Sequence, residues 1–306
     1  RQLDVQARYL KGLARGELDG RRLARVGAGN LSAFQRRQVL ELASQPALTE
    51  AGEFKALAPA RQYQVVLAAY RLLRYRYNRE ARDGEVAANS LALLRSLNAL
   101  PREAMQSGHE SIPPRPEQGH GTAQWGLARG ALEHQGYAEL DMRLTYHDLL
   151  DPVAAYPEAA SLNMLRAVLR RTNGAGVKVQ ALDILDIRSL AARDGFFRPV
   201  SWQARAGLER QLVGDDDVST FAQGGAGGSW RMLGATVSLL AVARLEYSES
   251  FADNWQFAPG FGARVGWQLE GFAAALEAQH YRFINGVDRN LASLQIQQSL
   301  TASQGL

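Results

Sequence analysis

The chain contains no cysteine. Thiol nucleophiles, disulfides, zinc-thiolate sites and iron-sulfur clusters are therefore excluded from its own residues. Lysine is nearly absent: of 35 basic residues only Lys11, Lys55 and Lys178 are lysines, and the other 32 are arginines. Beside abundant alanine, that bias reflects a GC-rich coding sequence and is neutral about function. No run approaches the roughly 18 consecutive apolar residues of a transmembrane helix. A transmembrane β-barrel escapes that test, because its alternating strands leave overall hydropathy low. Only five histidines occur, none in a helical His-x-x-x-His metal spacing. Gly-x-Ser-x-Gly is missing, and with it the nucleophile elbow. No catalytic residue, no metal ligand set and no cofactor is expected from the residues themselves.

What is there divides in two. Residues 1–110 carry 18 basic and 11 acidic side chains, whereas residues 111–306 carry 17 and 20. With 306 residues, 46% of them hydrophobic, the chain is long enough for two modest domains. Its opening at Arg1 reads as a mature chain or an excised fragment.

The first hundred residues have helical periodicity. From Ala60 to Arg82, Tyr63, Val66, Tyr70, Leu73 and Tyr77 recur at spacings of three and four, with Arg71, Arg76, Arg79 and Arg82 off that stripe. A tyrosine stripe with arginine neighbours can be read as a surface for RNA or lipid headgroups. The stronger reading is a helix-packing face with a solvated basic side, so no nucleic-acid partner is expected. Shorter helices are expected at Leu3 to Leu13, at Ala33 to Ala43 behind an N-capping Ser32, and at Glu85 to Leu100 ahead of Pro101. A helical domain over 1–107 thus gives way to a linker over 108–118, where Gly108, Pro113, Pro114 and Pro116 exclude regular helix or central strand.

Beyond the linker the period becomes two. Ala138, Leu140, Met142, Leu144 and Tyr146 alternate with Glu139, Asp141, Arg143, Thr145 and His147. Comparable alternation runs through 201–209, 233–247 and 261–270. About ten strands fit, at 120–133, 136–149, 160–172, 177–190, 200–213, 218–228, 230–248, 258–270, 272–284 and 289–300. Asn173-Gly174, Gly214-Asp215-Asp216-Asp217 and Asn285-Gly286 serve as turns. The fold class is therefore α+β: an N-terminal helical region, then over 119–306 an antiparallel up-and-down β-barrel of about 10–12 strands. Strand length, small apolar residues on one face and aromatics near strand ends point to an outer-membrane barrel. Arg143, Arg205, Arg244, Arg264, Glu139, Asp141, Glu209, Glu246 and Glu270 would then share its interior. The ending Thr301 to Leu306 lacks a terminal aromatic, which suits either a barrel continuing further on or a soluble one.

Three loops stand out. Tyr146, His147, Asp148 and Asp151 form the densest polar constellation, suited either to a divalent ion or, more simply, to a hydrogen-bonded corner at a strand end. Phe196 and Phe197, in the Gly/Pro-flanked loop Arg193 to Pro199, are expected to pack, and together with Tyr63, Tyr70 and Tyr77 to dock the helical region on the barrel. Gly224, Gly225, Gly227 and Gly228 look like a phosphate cradle only superficially; no Lys-Ser/Thr helix follows, so a bulged or sharply curved strand is expected.

At Gly119-His120-Gly121-Thr122, at Tyr146 to Pro152, and at Ser189-Leu190 with Arg193 to Trp202, the sequence resembles the C-terminal part of a bacterial envelope family. That family carries a periplasmic papain/NlpC-like domain named after Lnb-type lipoprotein N-acyltransferases. The resemblance implies a Gram-negative protein with an N-terminal Cys/His domain, a helical connector in the periplasm and a β domain in the outer membrane. This chain lacks the cysteine domain, so no catalytic residue carries over. The expected function is an anchor or interaction module whose partners are outer-membrane lipid, the N-terminal periplasmic domain and lipoproteins or phospholipid. One alternative is that His120 or His147 contributes to the active site of a lipoprotein N-acyltransferase or cysteine-peptidase-like enzyme. A narrow outer-membrane channel is the other.

Overall fold

A computed structural model describes residues 33–79, 84–101, 103–104, 123–132, 135–151, 159–174, 176–194, 196–210, 217–269, 271–284 and 286–298. The helix expected at Leu3 to Leu13, the linker, His120 and Glu270 lie outside these residues. The chain divides into two units, Arg1–Ile112 and Pro113–Leu306.

In the first unit α1 (Ala33–Ser44), a 3-10 turn (Pro46–Glu50), α2 (Gly52–Lys55), α3 (Pro59–Arg79) and α4 (Gly84–Ala99) follow one another. The long α3 packs on both α1 and α4, which cover one arc of its surface. Val65, Val66, Ala68, Ala69, Leu72, Leu73 and Tyr75 fill that arc. Sequence periodicity put the tyrosine stripe at its centre, but Tyr63 and Tyr70 are only half-buried at its margin. Two neighbouring helices favour small and aliphatic residues in the middle, and the buried ring is that of Tyr75, 8% exposed. Tyr77 belongs to α3, but its side chain lies outside the described ones.

The second unit is one ten-stranded antiparallel sheet in strict sequence order. Its strands are β1 (Gln124–Leu132), β2 (Gln135–His147), β3 (Ala160–Thr172), β4 (Val177–Ser189), β5 (Ser201–Arg210), β6 (Val218–Met232), β7 (Ala235–Tyr247), β8 (Trp255–Leu269), β9 (Phe272–Tyr281) and β10 (Arg289–Gln298). The sheet is curled so strongly that side chains of β4 meet β9, and side chains of β10 meet β7 and β5. It is a half-barrel: β1 pairs only with β2 and β10 only with β9 among the described residues. The end where β1 begins, which also holds the β2–β3 and β4–β5 loops and the β6–β7 and β8–β9 turns, is called the proximal rim below.

Two local devices produce the curl. Three inward glycines let backbones approach where a side chain would collide: a Cβ on Gly227 would lie 2.0 Å from the carbonyl oxygen of Leu239, and one on Gly260 would lie 1.9 Å from that of His280. No register shift occurs along β6, so the glycine run is a close approach and not a bulge. The third is Gly207, whose Cβ would sit 2.2 Å from the carbonyl oxygen of Leu182. Irregularities in β3 and β4 are the second device. Leu165 takes φ 55°, and the register of β4 against β5 shifts between Asp183 and Leu185. The twist increases at such points and the facing of side chains changes.

One turn departs from expectation. The segment 230–248 reads as a single strand, yet Leu233 (φ 51°) and Gly234 (φ 78°) make a two-residue hairpin loop between β6 and β7. Both residues have the positive φ of a type I′ turn. Leucine in place of the usual Asn or Asp hid the signal.

Candidate functional site: a charged interior

Outward and inward positions alternate along β5 to β9, and their chemistry is the reverse of a soluble core. Outward stand Trp202, Ala204, Ala206, Leu208; then Ala222, Ala226, Trp230; then Leu239, Ala241, Leu245; then Phe257, Phe261, Trp267; then Leu276. Along β5 to β9, Arg210 at the far end of β5 is the one Arg, Lys, Asp or Glu on the outer face among the described residues. Inward stand Gln203, Arg205, Glu209, Gln223, Arg244, Glu246, Arg264 and Glu277.

The inward charges form an alternating chain around the curl. Asp141 on β2 accepts from Arg143 at 3.4 Å and from Arg166 on β3 at 2.8 Å. Arg166 also reaches Asp183 on β4 at 3.3 Å, and Asp183 accepts from Arg205 on β5 at 2.7 Å. Arg205 lies 3.9 Å from Glu209, which pairs with Arg244 on β7. Arg244 donates through Nε to Glu246 at 2.5 Å, and Glu246 accepts from Arg289 on β10 at 2.8 Å. Within this chain Glu246 is fully buried, Asp183 is 1% exposed and Arg244 2%. Buried charges at such exposures are tolerated only when paired and hydrogen-bonded. The ring of Phe221, 2% exposed, sits beneath both Arg205 and Arg244, whose guanidinium carbons lie 4.8 and 4.1 Å from its centroid. A second network joins Arg188 on β4 to Asp186 at 3.3 Å and to Glu277 on β9 at 2.8 Å.

Sequence reasoning anticipated Arg143, Arg205, Arg244, Asp141, Glu209 and Glu246 in one interior, and they are there. Glu139 pairs with Arg170 at 2.7 Å, apart from the main chain of charges. Arg264 departs from the expected ladder, with no hydrogen bond or ion pair among the described residues. Arg166, Asp183, Asp186, Arg188, Glu277 and Arg289 were missed. The irregularities at Leu165 and Ile184 break the period-two signal, so that Asp183 and Asp186 both face inward although three residues apart.

The polar corner after β2 folds into this interior at the proximal rim. Asp151 Oδ2 accepts from the Asp148 amide at 2.8 Å and lies 3.7 Å from His147 Nδ1, while Asp148 Oδ1 accepts from the Leu150 amide at 3.1 Å. Gln268 on β8 donates to the carbonyls of Leu149 and Asp151, at 2.9 and 3.0 Å. Leu149 packs with Leu190, Leu240, Val242, Ala258, Tyr281 and Phe283, and Leu150 with Ala273 and Ala275. The corner is thus a plug held to the opposite wall. Tyr146 belongs to β2, with its side chain outside the described ones. Among the described residues no group of three His, Asp or Glu is arranged to hold a metal ion.

Phe196 and Phe197 are half-buried in a loop tied to its own unit. Asp194 Oδ1 accepts from both their amides, at 2.7 and 2.6 Å, and the Arg193 amide donates to the carbonyl of Ser229 at 2.8 Å. On the same wall, three buried hydroxyls bridge β5, β6 and β7: Ser201 and Ser229 lie 2.8 Å apart, and Ser229 donates to Ser238 at 2.7 Å.

These features define a class: an antiparallel meander half-barrel with ion pairs inside and apolar side chains outside. Residues 113–306 match the family model described as "Domain of unknown function (DUF7840)", and the chain belongs to that family. No curated protein and no solved structure matches the chain.

Proposed function

We propose that the chain is the outer-membrane module of a cell-envelope protein. Its β unit sits in lipid as a barrel, its helical unit lies in the periplasm, and it anchors and presents the N-terminal acyltransferase-like domain implied by the resemblance at Tyr146 to Pro152 and Arg193 to Trp202. The observation that carries this reading is the inverted polarity of the sheet. In water such an outer face would be a large exposed apolar surface, whereas in hydrocarbon it is the expected one.

Two aromatic belts add to it. Trp125, Trp202, Trp230 and Trp267 point outward near the proximal rim, four of the five tryptophans of the chain, with Phe272 beside them. Near the other rim stand Tyr247 and Trp255, with ring centroids 4.9 Å apart, and Phe257. From Phe257 to Trp267 along β8 is ten residues, about 33 Å at roughly 3.3 Å per residue. A tilt of roughly 40° reduces this to about 25 Å, the height of the apolar band of outer-membrane barrels. A wide channel is not favoured, because the ion pairs and the cluster around Tyr281 fill the interior.

Reconstitution into vesicles whose acyl chains are brominated tests the proposal. Tryptophan emission is expected to fall by more than half relative to unbrominated lipid. A protein that stays monodisperse without detergent, with emission unaffected by the bromines, would overturn the reading.

A bilayer offers no partners to free strand edges, so this reading also requires β1 to join β10. They are antiparallel by strand count, and Ala128, Leu291, Ser293 and Gln295 share the inward face. The absence of native cysteine makes the check direct. Ala128→Cys combined in turn with Leu291→Cys, Ser293→Cys or Gln295→Cys is expected to give an intrachain disulfide in one of the three pairs upon mild oxidation in membranes. Disulfide-linked dimers in all three would instead mean that the edges are completed by a second copy.

A further inference from the structure

Arg264 is the anomaly of the interior. Its side chain is 9% exposed, yet it makes no hydrogen bond or ion pair among the described residues. The carboxylates that act on it from a distance are Glu277 and Asp148, and both are committed elsewhere. Glu277 accepts from Arg188 at 2.8 Å and from Gln279 at 2.6 Å. Asp148 accepts from Arg143 at 3.4 Å and from the Leu150 amide at 3.1 Å. A buried guanidinium with five donors and no acceptor is costly unless something supplies one.

The surroundings are shaped for that guanidinium and lead outward. Gly266 lies two residues on, on the same face of β8. A Cβ there would be 2.5 Å from Arg264 Nη1, so the glycine clears the space that the guanidinium takes. Arg264, Arg231, Thr236, Gly266, Trp267 and Gln268 line a cleft that opens at the proximal rim, and no carboxylate is among the described residues that line it. On the inner side of Arg264 a smaller cavity contains Gln203 and Ser238. Gln203 is 6% exposed and its Nε2 has no hydrogen-bond partner. The Ser238 hydroxyl accepts from Ser229, so its own proton is directed onward.

We propose that Arg264, with Arg231 at the mouth of the cleft, binds a phosphate-class oxyanion that enters from the proximal rim. The fork of a guanidinium matches two oxygens of such a group, and Arg231, which lines the same cleft, adds positive potential at its mouth. Free phosphate and the phosphodiester of an anionic lipid headgroup share this chemistry. The site stands on the geometry of the half-barrel alone, so it holds whether or not the outer face is in lipid.

The test uses the full chain, folded in a zwitterionic detergent or, if it proves soluble, in plain buffer. Titration calorimetry with inorganic phosphate is run beside titration with micelles containing phosphatidylglycerol or phosphatidylcholine. Wild-type protein is expected to bind phosphate, or the phosphatidylglycerol micelles selectively, in a saturable manner. Arg264→Gln is expected to weaken binding at least tenfold, and Arg231→Gln severalfold. Far-ultraviolet circular dichroism confirms that each variant is folded, and the exposed Arg231 variant keeps the test valid if Arg264→Gln does not fold. Saturation by phosphate alone identifies a soluble ligand, and saturation only with the anionic micelles identifies a headgroup; both support the site. No saturable binding of either probe, or equal binding by wild type and both variants, overturns it.

Discussion

Replacing Arg244 by leucine is expected to destabilise the β unit by about 3 to 5 kcal/mol, the cost of leaving a buried charge without its partner. Arg244 is 2% exposed and holds Glu209 and the fully buried Glu246 apart. Its loss leaves the buried Glu246 with Arg289 alone, at 2.8 Å, an arginine that Glu209 also approaches at 3.6 Å. It also removes one of the two guanidinium groups over Phe221. Urea unfolding in detergent micelles, followed by tryptophan emission, measures the effect. The double variant Arg244→Leu/Glu246→Leu is expected to recover at least half of the loss, because Glu209 then retains Arg205 and Arg289. Arg129→Leu, on an exposed outward position of β1, is the control and should change stability by no more than about 0.5 kcal/mol. A single Arg244 variant as stable as the control would mean that the charge chain contributes nothing to the fold.

The second large effect is steric. Gly227→Ala is expected to cost at least about 2 kcal/mol, the range of overpacking in a closed interior, since the new methyl would lie 2.0 Å from the carbonyl oxygen of Leu239. That oxygen belongs to a strand fixed by its own ladder and cannot rotate aside as a side-chain tip would. Gly224, three residues earlier in the same strand, is the comparison: a Cβ there meets nothing nearer than 4.0 Å, the carbonyl oxygen of Gln203. Gly224→Ala should be neutral or slightly stabilising, because alanine restricts the unfolded chain more than glycine does. Equal behaviour of the two variants in the same unfolding experiment would remove the argument that close backbone approach sets the curl.

How far the sequence could be read depended on regularity of the strands. In β5, β7 and β8 the period-two pattern is unbroken, and Arg205, Glu209, Arg244 and Glu246 could be assigned to one face without coordinates. In β3 and β4 the pattern is broken by a positive φ at Leu165 and an extra residue near Ile184. The middle of the charge chain, Arg166 and the 1% exposed Asp183, was hidden for that reason. The Leu233-Gly234 turn was hidden because leucine rarely takes the first position of such a loop. The inward plunge of Leu149 and Leu150 is a tertiary event, fixed by Gln268 more than a hundred residues away, and no local period reports it. Arg264 looked like its neighbours in sequence, since a missing partner is visible only when every other carboxylate has been assigned.

The hydroxyl bridge across β5, β6 and β7 bears on assembly. The middle stretches of the outer faces of these strands carry small residues, Ala204 and Ala206, Ala222 and Ala226, Ala241 and Ala243, which interlock poorly and would tolerate misalignment. Ser201, Ser229 and Ser238, each at most 1% exposed, meet at 2.8 and 2.7 Å only in the native alignment. Sliding one strand by a single residue would turn Trp230 or Leu239 inward and leave hydroxyls facing the outside. The three serines therefore act as a positional key: only the native alignment brings all three hydroxyls together.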